Sequence, residues 1–106
     1  MMPAYRCIST QEAAELITQG ARIADIRDQQ SYQFGHITDA HHLSNDNLDQ
    51  FLTQSPREIP MIVCCYHGNS SKPAAGYLAS QGFADVYSLD GGYEAWRQDF
   101  PELCSV

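Results

Sequence analysis

The chain has 106 residues, of which 43% are hydrophobic, and this is enough for one folded domain with its own core. Thirteen acidic residues against six basic ones give a formal net charge of −7, so the chain does not supply the basic face that binding to nucleic-acid backbones requires. Its longest apolar runs, such as residues 61–66, are far below the roughly 18 residues that span a bilayer, and we therefore expect neither nucleic acid nor a membrane as a partner.

The predicted elements alternate between short apolar strands and helical stretches. In the first half of the chain they are a strand at residues 5–9, a helix from Gln11 that stops at Gly20, a strand at 21–25, a short helix at 29–34, a weak strand at 40–43, and a helix through residues 48–52 capped by Asn45 or Asp46. In the second half they are a strand at 61–65, a helix at 71–81 that ends at Gly82, a strand at 85–89, and a helix through Tyr93, Trp96 and Phe100.

The strand at residues 61–65 carries the clearest signal of the fold class. It is apolar throughout and does not alternate, as expected for a strand that is covered on both faces. Strands that alternate with helices are typical of α/β domains with right-handed crossovers. The sequence therefore predicts a single α/β domain over residues 1–106, with a mostly parallel five-stranded sheet and helices on both faces.

The four cysteines predict reduced thiols and a cytoplasmic location. They are Cys7, Cys64, Cys65 and Cys104, and no C-x-x-C pair occurs among them. The adjacent pair at 64 and 65 makes a poor disulfide, because neighbouring residues of a strand point to opposite faces. The N-terminal residues also show no apolar segment after a basic start, which predicts no secretory signal.

A short loop after the apolar strand is the main candidate for chemistry. Cys65 ends the strand, and ligands of open parallel sheets bind beyond the carboxyl ends of strands. Gly68 permits unusual dihedral angles in the following loop, and Pro73 suits the first turn of the next helix, for which Ser70 and Ser71 are natural caps. We therefore expect the N–H groups of a curled loop to converge on the sulfur of Cys65.

Such a cradle has an electrostatic consequence for the thiol. A free thiol titrates near 8.5, and amides together with a helix N-terminus stabilise the thiolate, so we expect a pKa of Cys65 about two or three units lower. Lys72 is the only lysine in the chain and lies next to the predicted helix start, where it would attract an anionic substrate. The alternative is that Lys72 is a surface residue with no role.

A cysteine followed by a five-residue loop also occurs in protein tyrosine phosphatases. Those enzymes need an arginine at the seventh position of the motif, where this chain has Ser71. A serine hydroxyl does not replace the bidentate contacts that a guanidinium makes to a phosphoryl group. The sequence therefore argues against phosphatase chemistry.

Three stretches together resemble the rhodanese family of thiosulfate sulfurtransferases, in particular its short single-domain bacterial members. They are CYHGNSSK at residues 65–72, DIRDQQSYQFGHI at 25–37 and SLDGGYEAW at 88–96, and the resemblance extends over nearly the whole chain. It implies a rhodanese-like fold and a ping-pong cycle without a cofactor or metal. In that cycle Cys65 takes the outer sulfur of thiosulfate, releases sulfite and holds a persulfide, which a thiophilic acceptor then collects.

The resemblance also implies which residues bind the substrate. Besides the nucleophile Cys65, the loop and helix start supply Tyr66, His67, Gly68, Asn69, Ser70, Ser71 and Lys72. The amides of residues 66–71 would surround the persulfide, and the hydroxyl of Ser71 would add a further hydrogen bond. The acceptor would be cyanide in the test tube, and in the cell a thiol such as thioredoxin or glutathione, or a biosynthetic partner.

Two other functions fit the same sequence. One is a persulfide carrier that a protein partner loads, with thiosulfate as no part of the cycle. The other is a non-catalytic module for docking or redox sensing, which the retained loop cysteine disfavours.

We interpret the remaining candidate residues near the loop as structural and not catalytic. Cys64 should face away from the loop and pack as a small apolar residue. The imidazole of His67 is not required by a loop whose working groups are backbone amides. Asp25 and Arg27 lie at the end of the second strand, and we expect a structural ion pair or a loop-anchoring hydrogen bond from them.

Three further sequence patterns also have a structural interpretation. His36, His41 and His42 do not have the spacing of a closed zinc site. Tyr93 and Trp96 lie three apart in a predicted helix and are expected to pack there. The pair Gly91–Gly92 is a turn signal, because no dinucleotide-binding pattern surrounds it.

Overall fold

Strands and helices alternate through residues 5–106, which is the part of the chain that the computed structural model describes. In chain order the elements are β1 (Arg6–Ile8), α1 (Thr10–Thr18), β2 (Arg22–Asp25), α2 (Gln29–Phe34), β3 (His36–Ile37), β4 (His41–His42), α3 (Leu48–Gln54), β5 (Met61–Cys64), α4 (Ser71–Ser80), β6 (Val86–Leu89), α5 (Gly92–Asp99), a 3₁₀ turn (Pro101–Leu103) and β7 (Cys104–Ser105). No helix among these is long and apolar enough to cross a membrane.

Five strands form a parallel sheet in the order β1-β6-β5-β2-β4. Strand β5 is central, with Ile62 opposite Ile23 of β2 on one side and Tyr87 of β6 on the other. The predicted five-stranded parallel α/β architecture is therefore confirmed. The sequence did not predict the separate two-stranded antiparallel sheet, in which His36 and Ile37 pair with Ser105 and Cys104.

Both faces of the sheet are covered, as the uniformly apolar β5 predicts. Ile62 and Cys64 point into one core cluster, which includes Trp96 of α5 and Ala13 of α1. Their neighbours in β5 point into a second cluster on the opposite face. That cluster contains Met61, Val63, Phe51 of α3, and Ala75 and Leu78 of α4. Burial of each large apolar side chain in these clusters contributes about 1.5–3 kcal/mol.

The helix starts show where local sequence signals hold and where tertiary contacts replace them. At α1 the hydroxyl of Ser9 accepts from the Glu12 amide while the Glu12 carboxylate accepts from the Ser9 amide, a complete capping box. The prediction for α3 is wrong, because Asn47 and not Asn45 or Asp46 precedes the helix, and it gives no side-chain cap. The Asn47 side chain instead bonds the Ser44 amide and the His42 carbonyl, which ties β4 to the following turn.

Candidate active site

The loop that follows β5 places the sulfur of Cys65 at the carboxyl end of the central strand. Strand β5 ends at Cys64, so Cys65 is the first loop residue and not the last strand residue. The amides of Gly68 and Ser71 donate to Sγ of Cys65 at 3.1 and 3.3 Å. Cys65 is only 2% exposed, so these donors act where little water competes with them. Convergence of loop amides on this sulfur agrees with the expectation from the sequence.

The pKa values of the two adjacent thiols, Cys64 and Cys65, shift in opposite directions. Burial raises the pKa of Cys65, but the hydroxyl and amide of Ser71 and the amides of Gly68 and His67 outweigh it and bring the pKa below its ordinary value. Burial, followed by the negative charge of Asp25, raises the pKa of Cys64 well above the usual range. The core position of Cys64 agrees with its predicted role as a small apolar residue.

Glycines hold the loop against the turn between β6 and α5. Gly68 has φ +93, and a Cβ there would lie 2.9 Å from the Gly91 nitrogen and 3.1 Å from the Leu89 oxygen. Gly92 has φ +60, and its Cβ would lie 2.5 Å from the carbonyl oxygen of Cys65. Only glycine fits this close backbone approach. The sequence pattern at Gly91–Gly92 indicates only a turn and gives no sign of the contact with Cys65.

The first turn of α5 also bonds directly to the loop. The amide of Tyr93 donates to the Cys65 carbonyl at 2.8 Å, and the amide of Glu94 donates to the Tyr66 carbonyl at 3.2 Å. These amides have no partner within their own helix, because the first N–H groups of a helix never do. The carbonyl groups of Cys65 and Tyr66 accept from these two amides, so the start of α5 fixes the backbone of the loop at both residues.

The start of α4 differs from the predicted capping arrangement. Ser70 precedes the helix in α-helical conformation and its side chain makes no capping bond. The hydroxyl of Ser71 lies 2.7 Å from the hydroxyl of Ser88 on β6, and both residues are completely buried. Neither serine therefore caps the helix through its side chain. Ser88 is a polar neighbour of the loop that sequence periodicity gave no reason to single out.

Asp25 and Arg27 form a buried ion pair, as predicted, and the Arg27 side chain lies against the Tyr66 ring of the loop. The guanidinium contacts the carboxylate through Nε and Nη2, with 2.7 Å from Nη2 to Oδ2, and also donates to the Gly35 carbonyl. Its carbon lies 4.3 Å from the centre of the Tyr93 ring and 5.9 Å from that of Tyr66. Burial, followed by contact with the Cys104 thiol, raises the pKa of Tyr93 to about 12, so the ring against Arg27 carries a neutral phenol.

The other predicted site residues lie at the exposed rim of the loop. Tyr66, His67, Asn69, Ser70 and Lys72 are all exposed. The Tyr66 hydroxyl contacts the hydroxyl of Ser31 at 3.3 Å. The predicted site residues thus fall into two sets. The amides of Gly68 and Ser71 donate hydrogen bonds to the sulfur, and the other predicted residues are exposed at the protein surface.

The histidines make structural contacts. Nδ1 of His36 lies 2.8 Å from the Tyr32 carbonyl, and Nε2 of His42 lies 2.6 Å from the Arg27 carbonyl. Within residues 5–106, no group of three or more His, Cys, Asp or Glu side chains is arranged to hold a metal ion.

A groove next to α4 does not include the loop. Its volume is about 960 Å³, and it lies between the residues after β2, the residues after β4, and the side of α4 that carries Ala74 and Tyr77. Cys65 does not line this groove. The sulfur instead contacts the amides of Gly68 and Ser71 within its own loop.

Comparison with known proteins shows which family the chain resembles. The family model described as a rhodanese-like domain matches residues 9–99. Thiosulfate sulfurtransferase GlpE of Ectopseudomonas mendocina (strain ymp) is 54% identical over 100 residues, which cover 94% of this chain and 92% of the relative. The protein of the same name from Pseudomonas fluorescens (strain SBW25) is 52% identical over 100 residues, with the same coverage.

A solved structure confirms the fold independently. The crystal structure of reduced Bacillus anthracis CoADR-RHD superimposes with a TM-score of 0.81 over 96% of this chain and 18% of that protein. At 20% identity this likeness concerns the fold alone. With the family match over residues 9–99 and relatives above 50% identity, the chain belongs to the rhodanese-like domain family.

Proposed function

We propose that this protein is a thiosulfate sulfurtransferase in which Cys65 is the nucleophile. The thiolate of Cys65 attacks the outer sulfur of thiosulfate, a new S–S bond forms to Sγ, and the S–S bond of thiosulfate breaks. Sulfite leaves with the electron pair, and Cys65 carries a persulfide anion. Atoms and charge balance in this displacement without an external oxidant or reductant.

One observation carries this proposal, namely the convergence of loop amides on a buried sulfur whose pKa is lowered. The Gly68 and Ser71 amides donate to Sγ, and they favour the thiolate over the thiol. The same donors would stabilise the negative charge of a persulfide that extends into the loop. Stabilisation by preorganised amides needs no rearrangement during the reaction, because folding has already oriented them.

The second half of the cycle returns the thiolate. An acceptor attacks the terminal sulfur, forms a bond to it and restores Cys65, so that cyanide becomes thiocyanate. In the cell a thiol such as that of thioredoxin would take the place of cyanide. Two successive displacements through one covalent intermediate predict ping-pong kinetics.

We assign the remaining loop residues by their position around the sulfur. Tyr66, His67 and Asn69 follow Cys65 in the loop with exposed side chains, and we assign them to contact with the approaching thiosulfate. Lys72 lies exposed in the first turn of α4, where its charge offsets the repulsion of an anion by a protein of net charge −7. We place the whole cycle within one cytoplasmic domain over residues 1–106, without a cofactor or metal.

The test is the intact mass of the protein after treatment with excess thiosulfate, followed by desalting and peptide mapping. We expect a gain of one sulfur atom on Cys65 that disappears on addition of cyanide. Cys65→Ser should abolish the gain, and Cys64→Ala is the control that should retain it.

Three results would contradict the proposal in different ways. A gain of sulfur at another cysteine would exclude Cys65 as the nucleophile. An unchanged mass with a Cys65 that still alkylates readily would exclude thiosulfate as the donor and favour a persulfide carrier loaded by a protein partner. A Cys65 that neither gains sulfur nor alkylates would favour a non-catalytic docking module.

A further inference from the structure

The groove next to α4, called the α4 groove below, lies at the same edge of the sheet as Cys65. It is bounded by the residues after β2, the residues after β4 and the side of α4 that carries Ala74 and Tyr77. Strands β5, β2 and β4 are consecutive and parallel, so their carboxyl ends share one edge. Thiosulfate and cyanide are much smaller than the groove volume of about 960 Å³, so the groove has room for a larger ligand.

The rim of the α4 groove contacts the loop of Cys65. The amide of Asp28, which lines the groove, donates to the hydroxyl of Tyr66, the residue after Cys65. Ala74 lies three residues after Ser71, whose amide donates to Sγ, so the two are about 4.5 Å apart along α4. Neighbouring strands lie about 4.8 Å apart, so the ends of β5 and β4 are separated by about 10 Å, which about three extended residues cover.

The topology of the chain also favours a ligand at this place. The chain passes from β2 to β4 on one side of the sheet and from β5 to β6 on the other. Ligands of open parallel sheets bind where the connections diverge in this way, beyond the carboxyl ends of the strands. The two strands at this point are β2 and β5, which are followed by the groove residue Asp28 and by Cys65.

Apolar side chains form much of the groove surface. Two of them are buried, two are half-buried and one is 44% exposed, and these are Leu43 and Leu78, Ile26 and Leu48, and Tyr77. A ligand that covers them removes apolar surface from water, which is favourable.

The charge of the groove is negative. Asp28 and Asp46 line it with exposed side chains. The amide and the hydroxyl of Ser31 donate to the Asp28 carboxylate and lower its pKa, so this group is ionised at neutral pH. Among the described residues that line the groove, the only lysine or arginine is Arg27, whose charge is paired with Asp25 in the interior. A complementary ligand is therefore apolar and positively charged.

We propose that the α4 groove binds an apolar, positively charged segment of the acceptor protein, next to the thiol that collects sulfur from Cys65. This inference rests on the proposed function and gives its acceptor a chemical class. The acceptor thiolate attacks the terminal sulfur of the Cys65 persulfide and forms a new S–S bond. The bond to Sγ breaks, and its electron pair restores the Cys65 thiolate. Attraction between a cationic segment and a chain of net charge −7 also speeds their encounter.

The experiment compares short synthetic peptides as acceptors for the thiosulfate-loaded full chain. The test peptide carries one cysteine next to leucines and lysines, and two matched peptides replace the lysines by glutamates or the leucines by serines. Sulfur transfer is followed by the mass of the peptide, and cyanide serves as the small acceptor. We expect the test peptide to react with a kcat/KM about 10-fold or more above that of either matched peptide. The same peptides with serine in place of cysteine measure binding by calorimetry without sulfur transfer.

Two substitutions with matched controls locate the binding surface. Asp46→Lys should lower kcat/KM for the test peptide about 3- to 30-fold and leave cyanide unaffected. Asp85→Lys makes the same change of net charge at the amino end of β6, on the opposite edge of the sheet, and should affect neither acceptor. Tyr77→Ala should lower kcat/KM for the test peptide about 10-fold, whereas Phe34→Ala removes a 77% exposed ring outside the groove and should not.

Several outcomes would overturn the proposal. They are equal transfer to the cationic and acidic peptides, equal effects of Asp46→Lys and Asp85→Lys, and transfer to glutathione as fast as to the test peptide, since glutathione would show that a small thiol suffices. If Cys65 takes no sulfur from thiosulfate, the proposed function fails, and the serine peptide still decides about the groove. Binding that Asp46→Lys weakens and Asp85→Lys does not would support the groove, and absence of binding would overturn it.

Discussion

Substitution of Gly92 by alanine tests whether the turn before α5 positions the loop. The new Cβ would lie 2.5 Å from the Cys65 oxygen and 2.6 Å from the carbonyl carbon and oxygen of Tyr66. These are backbone atoms, which cannot rotate away as a side chain does. Ordinary contact begins near 3.4 Å, so the Cys65 peptide and α5 must separate by about 0.9 Å.

A displacement of this size has a calculable effect on sulfur transfer. A misplacement of about 1 Å costs on the order of 100-fold in rate, so we expect Gly92→Ala to lower kcat/KM about 10- to 100-fold. The positive φ of residue 92 adds about 1–2 kcal/mol of backbone strain, and overpacking adds about 1–3 kcal/mol. The assay is thiocyanate formation from thiosulfate and cyanide, together with urea denaturation.

Gly20 provides the matched control for backbone strain. Its φ is +105, and a Cβ there would have no atom within 4 Å. Gly20→Ala should therefore cost about 1–2 kcal/mol of stability and leave sulfur transfer unchanged. If Gly92→Ala loses stability but transfers sulfur at the wild-type rate, the reasoning about loop position is refuted.

Two further predictions concern charge. Asp25→Asn leaves the guanidinium of Arg27 buried without its counter-charge and should cost about 3–5 kcal/mol in urea denaturation. Glu94→Gln in the exposed pair of α5 should leave the urea midpoint nearly unchanged, and equal effects of the two substitutions would contradict the buried-pair argument. Cys65 should alkylate with a midpoint below the ordinary 8.5 while Cys64 stays unreactive in the folded protein, and identical profiles for the two thiols would remove the cradle. Because the folded pKa of Cys65 lies below the unfolded value, the thiolate stabilises the fold fully above pH ~8.5, and this contribution disappears as pH falls through the folded pKa.

Local sequence patterns were sufficient for the elements that present the loop. The apolar run at 61–65 predicted the central strand, and Pro73 predicted the start of α4, although the paired serines do not cap that helix. The same patterns gave the wrong cap for α3, because the side chain of Asn47 bonds β4 instead of its helix. They also missed the antiparallel pair β3–β7, whose strands have two residues each and join distant parts of the chain.

The class of fold, the position of Cys65 and the length of its loop follow from the sequence alone, since these depend on residues within a few positions of one another. The groups that hold that loop in place come from distant parts of the chain and are set by tertiary packing. Gly92 meets Cys65 and Ser88 meets Ser71 only because β6 lies beside β5 in the parallel sheet. Strand order and register arise from packing of the whole chain, and hydrophobic periodicity does not encode them.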